Sequence, residues 1–237
     1  MGFKKYIYIV CCTLSLPLVG QIYEFTPPVR FGGSINSSAD ESNPVLSHDR
    51  STLYFVRTFE QKNMGGIYDQ DIWYSRQKSG EWTFPIALQA LNNKLNNAVV
   101  GQFNDPSDST QERLYLISAY VTERDFEKGI NIATRKRTDT TWSVKGKLPI
   151  PGLDIDGKYV GYYMSQDQNV VIISYEGSDS EGEEDLYVSI KDEEGWTEPE
   201  NLGSTINSEG FEISPFLSKN NDTLYFSSDG LKGQGDA

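Results

Sequence analysis

Short apolar runs alternate with polar, glycine-containing turns along most of the chain, and no stretch shows a sustained helical period. In the run from Thr52 to Arg57, Leu53 and Phe55 belong to one face of an extended segment, whereas Tyr54 and Val56 belong to the other. A short apolar run of this length between polar turns is typical of a β-strand. The pattern therefore predicts an all-β protein built from short strands.

Four predicted strands make up the first unit of this pattern: residues 44–47, 52–57, 71–76 and 82–88. Polar turns and one longer polar loop, residues 58–70, separate them. Pro85 lies in the fourth strand and has no N–H group to donate to a neighbouring strand. The fourth strand is therefore predicted to lie at the edge of its sheet.

The same motifs recur along the chain at constant offsets. Phe31 to Asn36 matches Leu202 to Asn207, and Thr52 to Phe55 matches Thr223 to Phe226, both at a distance of 171 positions. A match that keeps its offset over this length of chain indicates an internal repeat.

A second offset gives the length of the repeating unit. Asp71 to Ser75 matches Asp185 to Ser189 at 114 positions, and Trp82 and Trp196 keep the same distance. Both offsets are multiples of 57, and a divergent copy with Trp142 lies between. Four-stranded units of this length are typical of β-propeller blades, whereas the alternative all-β fold, a β-sandwich, does not explain a constant offset.

The repeat also predicts where each blade begins and ends. The boundaries are 37–92 for blade 1, 93–153 for blade 2, 154–207 for blade 3 and 208–237 for the start of blade 4. At the 171 offset, residues 22–36 match the end of a blade, so Tyr23 to Phe31 is predicted to be the outer strand that closes the ring. We therefore expect an incomplete ring, with this sequence a piece of a larger propeller.

The repeated motif resembles the WD40-like β-propeller repeats of the TolB type. It consists of Glu-x-x-Pro at Glu41 to Pro44, Leu-Tyr-Phe at Leu53 to Phe55, Asp-Ile-Trp at Asp71 to Trp73, and Gly-x-Trp-x-x-Pro-x-x-Leu at Gly80 to Leu88. Parts of it recur at 185–187, 212–215 and 224–226. The second unit lacks the Glu-x-x-Pro and the aspartate of the third strand.

The segment from Leu202 to Asn207 is similar to versions found in Bacteroidetes-type cell-envelope proteins of the OmpA family. This resemblance implies a non-catalytic exported module of the bacterial cell envelope, whose propeller surface binds envelope proteins, peptidoglycan or other glycans. The alternative is a propeller glycosidase or the propeller part of a hydrolase. The motifs specify the fold far more strongly than the function.

The first 21 residues have the layout of a secretory signal peptide. A positively charged start precedes the apolar run from Tyr6 to Leu18, which is too short for a comfortable membrane span. Lipidation would need a cysteine at the end of this run, whereas Cys11 and Cys12 lie in its middle. We expect a mature chain without cysteine or transmembrane segment, in the periplasm, at the outer membrane or secreted. A lipoprotein or a retained N-terminal anchor is the alternative.

Acidic residues outnumber basic ones, 34 to 21, and give a formal net charge of −13. Such a chain repels the phosphate backbone of nucleic acids, so a nucleic-acid partner is not expected. The charge is most simply explained by solubility.

No catalytic residue and no cofactor are predicted. His48 is the single histidine, the mature chain has no cysteine, and no Gly-x-Ser-x-Gly motif is present. The stretch from Ser47 to Thr52 superficially resembles the Asp-box of sialidases, but Leu53 stands where that motif has an aromatic residue.

The weak candidate metal ligands belong to one acidic run: Asp179, Glu181, Glu183 and Asp185. Hard oxygen ligands of this kind suit calcium, but the spacing of an EF-hand loop is missing. A solvated acidic loop is therefore the favoured interpretation. The segment 154–157 is a shorter run of the same kind.

The residues that recur once per unit have a predicted structural role. Asp71 and Asp185 precede the third strand, where a carboxylate can accept N–H bonds from a turn of its own blade. Trp82, Trp142 and Trp196 are predicted to pack inside or between blades.

Overall fold

The structure is a computed structural model that describes residues 26–117, 129–153, 155 and 159–232, and all regular secondary structure in these residues is β. The predicted signal peptide, residues 22–25, residues 118–128, Asp154, residues 156–158 and the last five residues lie outside the described part. Residues 1–30 form a separate unit, of which the described residues 26–30 contain no strand. No described helix could cross a membrane.

The described strands are grouped into four sheets that follow one another along the chain. Blade 1 contains β1 (Asp40–Leu46), β2 (Thr52–Thr58), β3 (Asp71–Lys78), β4 (Glu81–Trp82) and β5 (Ile86–Ala87). Blade 2 contains β6 (Ala98–Asn104), β7 (Gln111–Ile117), β8 (Ile130–Lys136) and β9 (Ser143–Lys147). Blade 3 contains β10 (Val160–Met164), β11 (Val170–Tyr175), β12 (Asp185–Ile190) and β13 (Glu200–Asn201), and blade 4 contains β14 (Glu212–Leu217) and β15 (Leu224–Ser228).

Each sheet is antiparallel, and its strands pair in the order in which they occur in the sequence. The first strands of successive sheets, β1, β6, β10 and β14, lie beside one another. This arrangement confirms the predicted all-β propeller of four-stranded blades. The blade boundaries, the closing strand and the number of blades in the ring stay predictions.

The fourth strand of blade 1 differs in detail from its prediction. Instead of one strand over 82–88, two short segments, β4 and β5, pair with the same edge of β3. Pro85 lies in the gap between them, and its missing N–H explains why the ladder is interrupted. The position at the sheet edge is as predicted.

Among the described residues, three apolar layers lie between neighbouring sheets, and a further apolar cluster covers the opposite face of blade 1. Tyr54 of blade 1 packs with Leu114 and Leu116 of blade 2, while Leu53 and Phe55 pack on the opposite face of blade 1 with Trp73. Successive side chains of β2 point to opposite faces of the sheet, and both faces are buried in apolar surroundings. The three recurring tryptophans belong to these layers, which confirms their packing role: Trp82, Trp142 and Trp196.

The direction of the strands determines at which end of the sheets each connecting loop lies. The loops between the second and third strands of a blade, 59–70 and 176–184, lie at the same end of the sheets as the corners that lead to the next blade, 88–97 and 202–211. Hydrogen bonds join the two kinds of segment, from Asn97 N to Gln70 O at 2.7 Å and from Glu183 N to Gly210 O at 3.0 Å. We call this end of the propeller the loop face.

Candidate functional site

A buried aspartate anchors the loop before the third strand in blades 1 and 3. Asp71 Oδ2 accepts the N–H of Met64 at 2.9 Å, and Asp185 Oδ2 accepts the N–H of Glu181 at 2.8 Å. Both aspartates are almost completely buried. These bonds confirm the prediction that the two carboxylates accept turn N–H groups within their own blades. The other carboxylate oxygen of each, Oδ1, is buried without a hydrogen-bond partner among the described residues.

Blade 1 places a second carboxylate beside this anchor. Asp69 is buried, and its Oδ2 accepts the N–H of Gly65 at 2.7 Å. A Cβ atom at Gly65 would lie 2.5 Å from this oxygen, so only glycine allows the carboxylate to approach the loop so closely. In blade 3 the equivalent residue, Glu183, is exposed. The pair of Asp69 and Asp71 is therefore a feature of blade 1 that its repeat does not share.

The environment of the pair favours the protonated form of Asp71. The pKa of Asp71 is raised to about 6, chiefly through desolvation by burial, and the negative charge of Asp69 acts in the same direction. The bond from Met64 N–H acts in the opposite direction. Sequence reasoning missed Asp69, although the Asp-x-Asp spacing before β3 was a visible signal.

Asn63 connects the loop 59–70 to the two strands that it joins. Its Nδ2 donates to Arg57 O at 2.9 Å and to Asp69 O at 2.7 Å, and its Oδ1 accepts the indole N–H of Trp73 at 3.2 Å. The base of the loop is thus held by buried hydrogen bonds from within blade 1.

The outer side of the same loop carries a group of exposed apolar side chains, which we call the aromatic patch: Phe59, Met64, Ile67 and Tyr68. The exposed fractions of Phe59 and Tyr68 are 48% and 78%, and their rings meet edge to face with centroids 5.8 Å apart. Phe59 has a φ of 62°, a left-handed conformation that is unfavourable for a bulky residue. A strained backbone that presents an aromatic ring to solvent marks a segment shaped for contact with something else.

The corresponding loop of blade 3, residues 176–184, has a different character. It contains no aromatic residue, and Asp179 within it accepts the hydroxyl hydrogen of Tyr187 at 2.8 Å. Glu181 uses its backbone N–H to bond Asp185, while Glu183 remains exposed. No group of three or more metal-ligating side chains occurs in the described residues, which include the four candidate ligands of the sequence.

The turn that resembles an Asp-box has a structural role. Ser47 Oγ donates to Asp49 Oδ1 at 2.6 Å and accepts the N–H of Thr52 at 2.9 Å, which closes the hairpin between β1 and β2. The bond from Ser47 is the main reason why the pKa of Asp49 is lowered. His48 donates its backbone N–H to Gln102 of blade 2 at 2.8 Å. This turn lies at the end of the sheets opposite the loop face.

No protein-family model and no curated protein matches this chain. Among solved structures, the chain is similar to a family 117 glycoside hydrolase produced by the marine bacterium Zobellia galactanivorans. The two sequences are 13% identical, the match covers 82% of this chain and 70% of that chain, and the TM-score is 0.40. An ancestral GH74 enzyme shows 15% identity, coverage of 76% and 23%, and a TM-score of 0.39. A puromycin-hydrolyzing peptidase of Mycobacterium tuberculosis shows 17% identity, coverage of 65% and 20%, and a TM-score of 0.33. This chain thus spans about a fifth of the length of the peptidase.

This finding corrects the functional expectation drawn from the sequence. A non-catalytic envelope module was expected, whereas these similar structures are glycoside hydrolases and a peptidase. The expectation relied on the repeated motif, and the repeated residues form the scaffold of the blades, not the loops in which function lies.

Proposed function

We propose that this chain is the carbohydrate-binding propeller of a glycoside hydrolase, and that the aromatic patch contacts the carbohydrate substrate. The observation that carries the proposal is the exposed edge-to-face pair of Phe59 and Tyr68 on the strained loop of blade 1. Exposed aromatic rings offer large contact area at a small cost in side-chain entropy. A pyranose ring has an apolar C–H face that fits such a surface.

The surroundings of the patch suit a ligand that is apolar on one side and hydroxylated on the other. The same loop also contains polar residues: Glu60, Gln61, Lys62 and Gln70. Binding sites for small ligands combine aromatic surface with a few polar groups that set orientation, and sugar hydroxyls can bond to both donors and acceptors. The formal net charge of −13 disfavours polyanionic ligands such as nucleic acids.

A binding assay with the full chain tests the sugar contact. The protein is incubated with insoluble polysaccharides, peptidoglycan included, and the bound fraction and the reducing ends released are measured together. We expect Tyr68→Ala to weaken binding roughly tenfold, the effect of losing about 1.4 kcal/mol of contact energy. Phe59→Ala should act in the same direction.

Phe84 supplies a matched control because it is also an exposed aromatic residue of blade 1, with 79% of its side chain exposed, but it lies between β4 and β5. Phe84→Ala should bind like the unchanged protein. Equal binding by all three variants would exclude the aromatic patch as the contact site. Binding without release of reducing ends from any polysaccharide would argue against the hydrolase.

A further inference from the structure

The loop that carries the aromatic patch is held by backbone hydrogen bonds to two neighbouring carboxylates. Met64 and Gly65 are consecutive residues at its centre, and their N–H groups bond to Asp71 and Asp69 respectively. Met64 belongs to the patch, and Tyr68 directly precedes Asp69. The position of the patch therefore depends on the state of these two carboxylates.

Asp69 and Asp71 are both buried, and their Oδ2 atoms accept the N–H groups of consecutive residues. Two neighbouring buried carboxylates cannot both be ionised at low energetic cost unless a positive charge lies between them. Arg57 of β2 pairs with Asp71 along the backbone. Its guanidinium is already bonded to Glu41 of β1 at 3.0 Å and to Ile35 O at 2.9 Å. In the corner 88–97, which packs against the loop, Lys94 is the charged residue, and it is exposed.

We propose that Asp69 and Asp71 share one proton that holds the loop 59–70 in shape, so that the aromatic patch binds its ligand more tightly in mildly acidic solution. The part about the ligand rests on the proposed function, whereas the part about the loop does not. The shared proton converts the repulsion between the carboxylates into a hydrogen bond, and both N–H bonds to the loop are then kept.

The direction of the pH effect follows from the pKa of Asp71, which burial raises from 3.8 to about 6. A group whose pKa is higher in the folded than in the unfolded state stabilises the fold. This stabilisation is fully present when the pH is below the pKa of the unfolded state, and it is lost as the pH rises through the pKa of the folded state. The loop should therefore be most stable below about pH 4, open progressively more often between about pH 4 and pH 6, and change little above about pH 6.5. Between pH 5 and pH 7.5 the opening of the loop should increase about tenfold.

Hydrogen exchange of the full chain without ligand tests the shared proton. The exchange rate of residues 59–70, corrected for its intrinsic pH dependence, is compared with that of residues 176–184 between pH 5 and pH 7.5. We expect a tenfold step in the first loop. Asp71→Asn should abolish the step, and Asp69→Asn should reduce it and move it to lower pH, because both variants keep an oxygen acceptor but lose a titrating group.

Asp185→Asn is the matched control, since it changes the equivalent anchor of blade 3, and it should leave the step in residues 59–70 unchanged. Absence of the step in the unchanged protein, or its persistence in Asp71→Asn, would overturn the proposal. So would a slowing of exchange by calcium at pH 7.5 that Asp69→Asn abolishes, because a cation would then occupy the place of the proton.

The polysaccharide assay repeated at pH 5.5 and pH 7.5 separates the two proposals. Tighter binding at pH 5.5 supports both of them. Binding that is independent of pH, together with a flat exchange profile, overturns the shared proton alone. A step in exchange without binding to any polysaccharide supports the shared proton and contradicts the proposed function.

Discussion

Replacing Asn92 with alanine should destabilise the propeller strongly, because this side chain bridges a corner to a central strand. Asn92 Oδ1 accepts the N–H of Ile72 at 2.9 Å, and its Nδ2 donates to Ile72 O at 3.0 Å. Asn207 makes the same two bonds with Leu186 in blade 3, at 2.8 and 3.1 Å. Both side chains are buried, so water cannot replace these bonds when the amide is removed.

The expected loss of stability follows from what happens to the N–H and C=O groups of Ile72 when the Asn92 amide is removed. Ile72 O keeps a second bond from Leu88 N, whereas Ile72 N–H is left unpaired in a buried position. An unpaired buried donor costs about 1–3 kcal/mol and the lost bond to Ile72 O about 1 kcal/mol more, so we expect Asn92→Ala to lower the free energy of unfolding by about 2–4 kcal/mol. For a chain of this size this corresponds to a fall in Tm of roughly 4–16 °C.

Urea unfolding and calorimetry on the full chain measure this loss, with Asn96→Ala as the control. Asn96 lies in the same corner but is exposed, so its replacement should change stability by less than about 0.5 kcal/mol. If the two variants unfold at the same urea concentration, the bridging role of Asn92 is refuted.

Two further predictions concern the contacts around the hairpins of blade 3. Tyr163→Phe should lower the free energy of unfolding by about 1 kcal/mol, because it removes the 2.9 Å hydrogen bond from the hydroxyl to Leu217 O that joins blades 3 and 4. Urea unfolding measures this loss, and a stability equal to that of the unchanged protein would contradict the role of this bond. The pKa of Asp167 is lowered, chiefly by the hydroxyl of Ser165, so its contribution to stability is present above 3.8 and is lost as the pH falls further. Acid unfolding followed by circular dichroism should therefore be shallower for Asp167→Asn, and superimposable curves would argue against this.

Much of the scaffold was predictable because the blade motif repeats. A strand between two apolar layers needs apolar residues at every position, which made β2 visible in the run around Leu53 and Tyr54. The N–H bonds to Asp71 and Asp185 were also predictable, since an aspartate before a strand bonds to its own turn. The resemblance to envelope propellers and the signal peptide stay predictions, and the function inferred from that resemblance is corrected.

The period of the repeat, the all-β class and the residues that pack between blades were predictable from the sequence, because they depend on short apolar runs and on spacing along the chain. The burial of Asp69 beside the exposed rings of Phe59 and Tyr68, by contrast, was visible in the folded loop alone. The path of a loop depends on which of its backbone N–H groups find acceptors and on the room left by its neighbours. A single glycine, Gly65, allows this close approach, and no periodicity in the sequence records it.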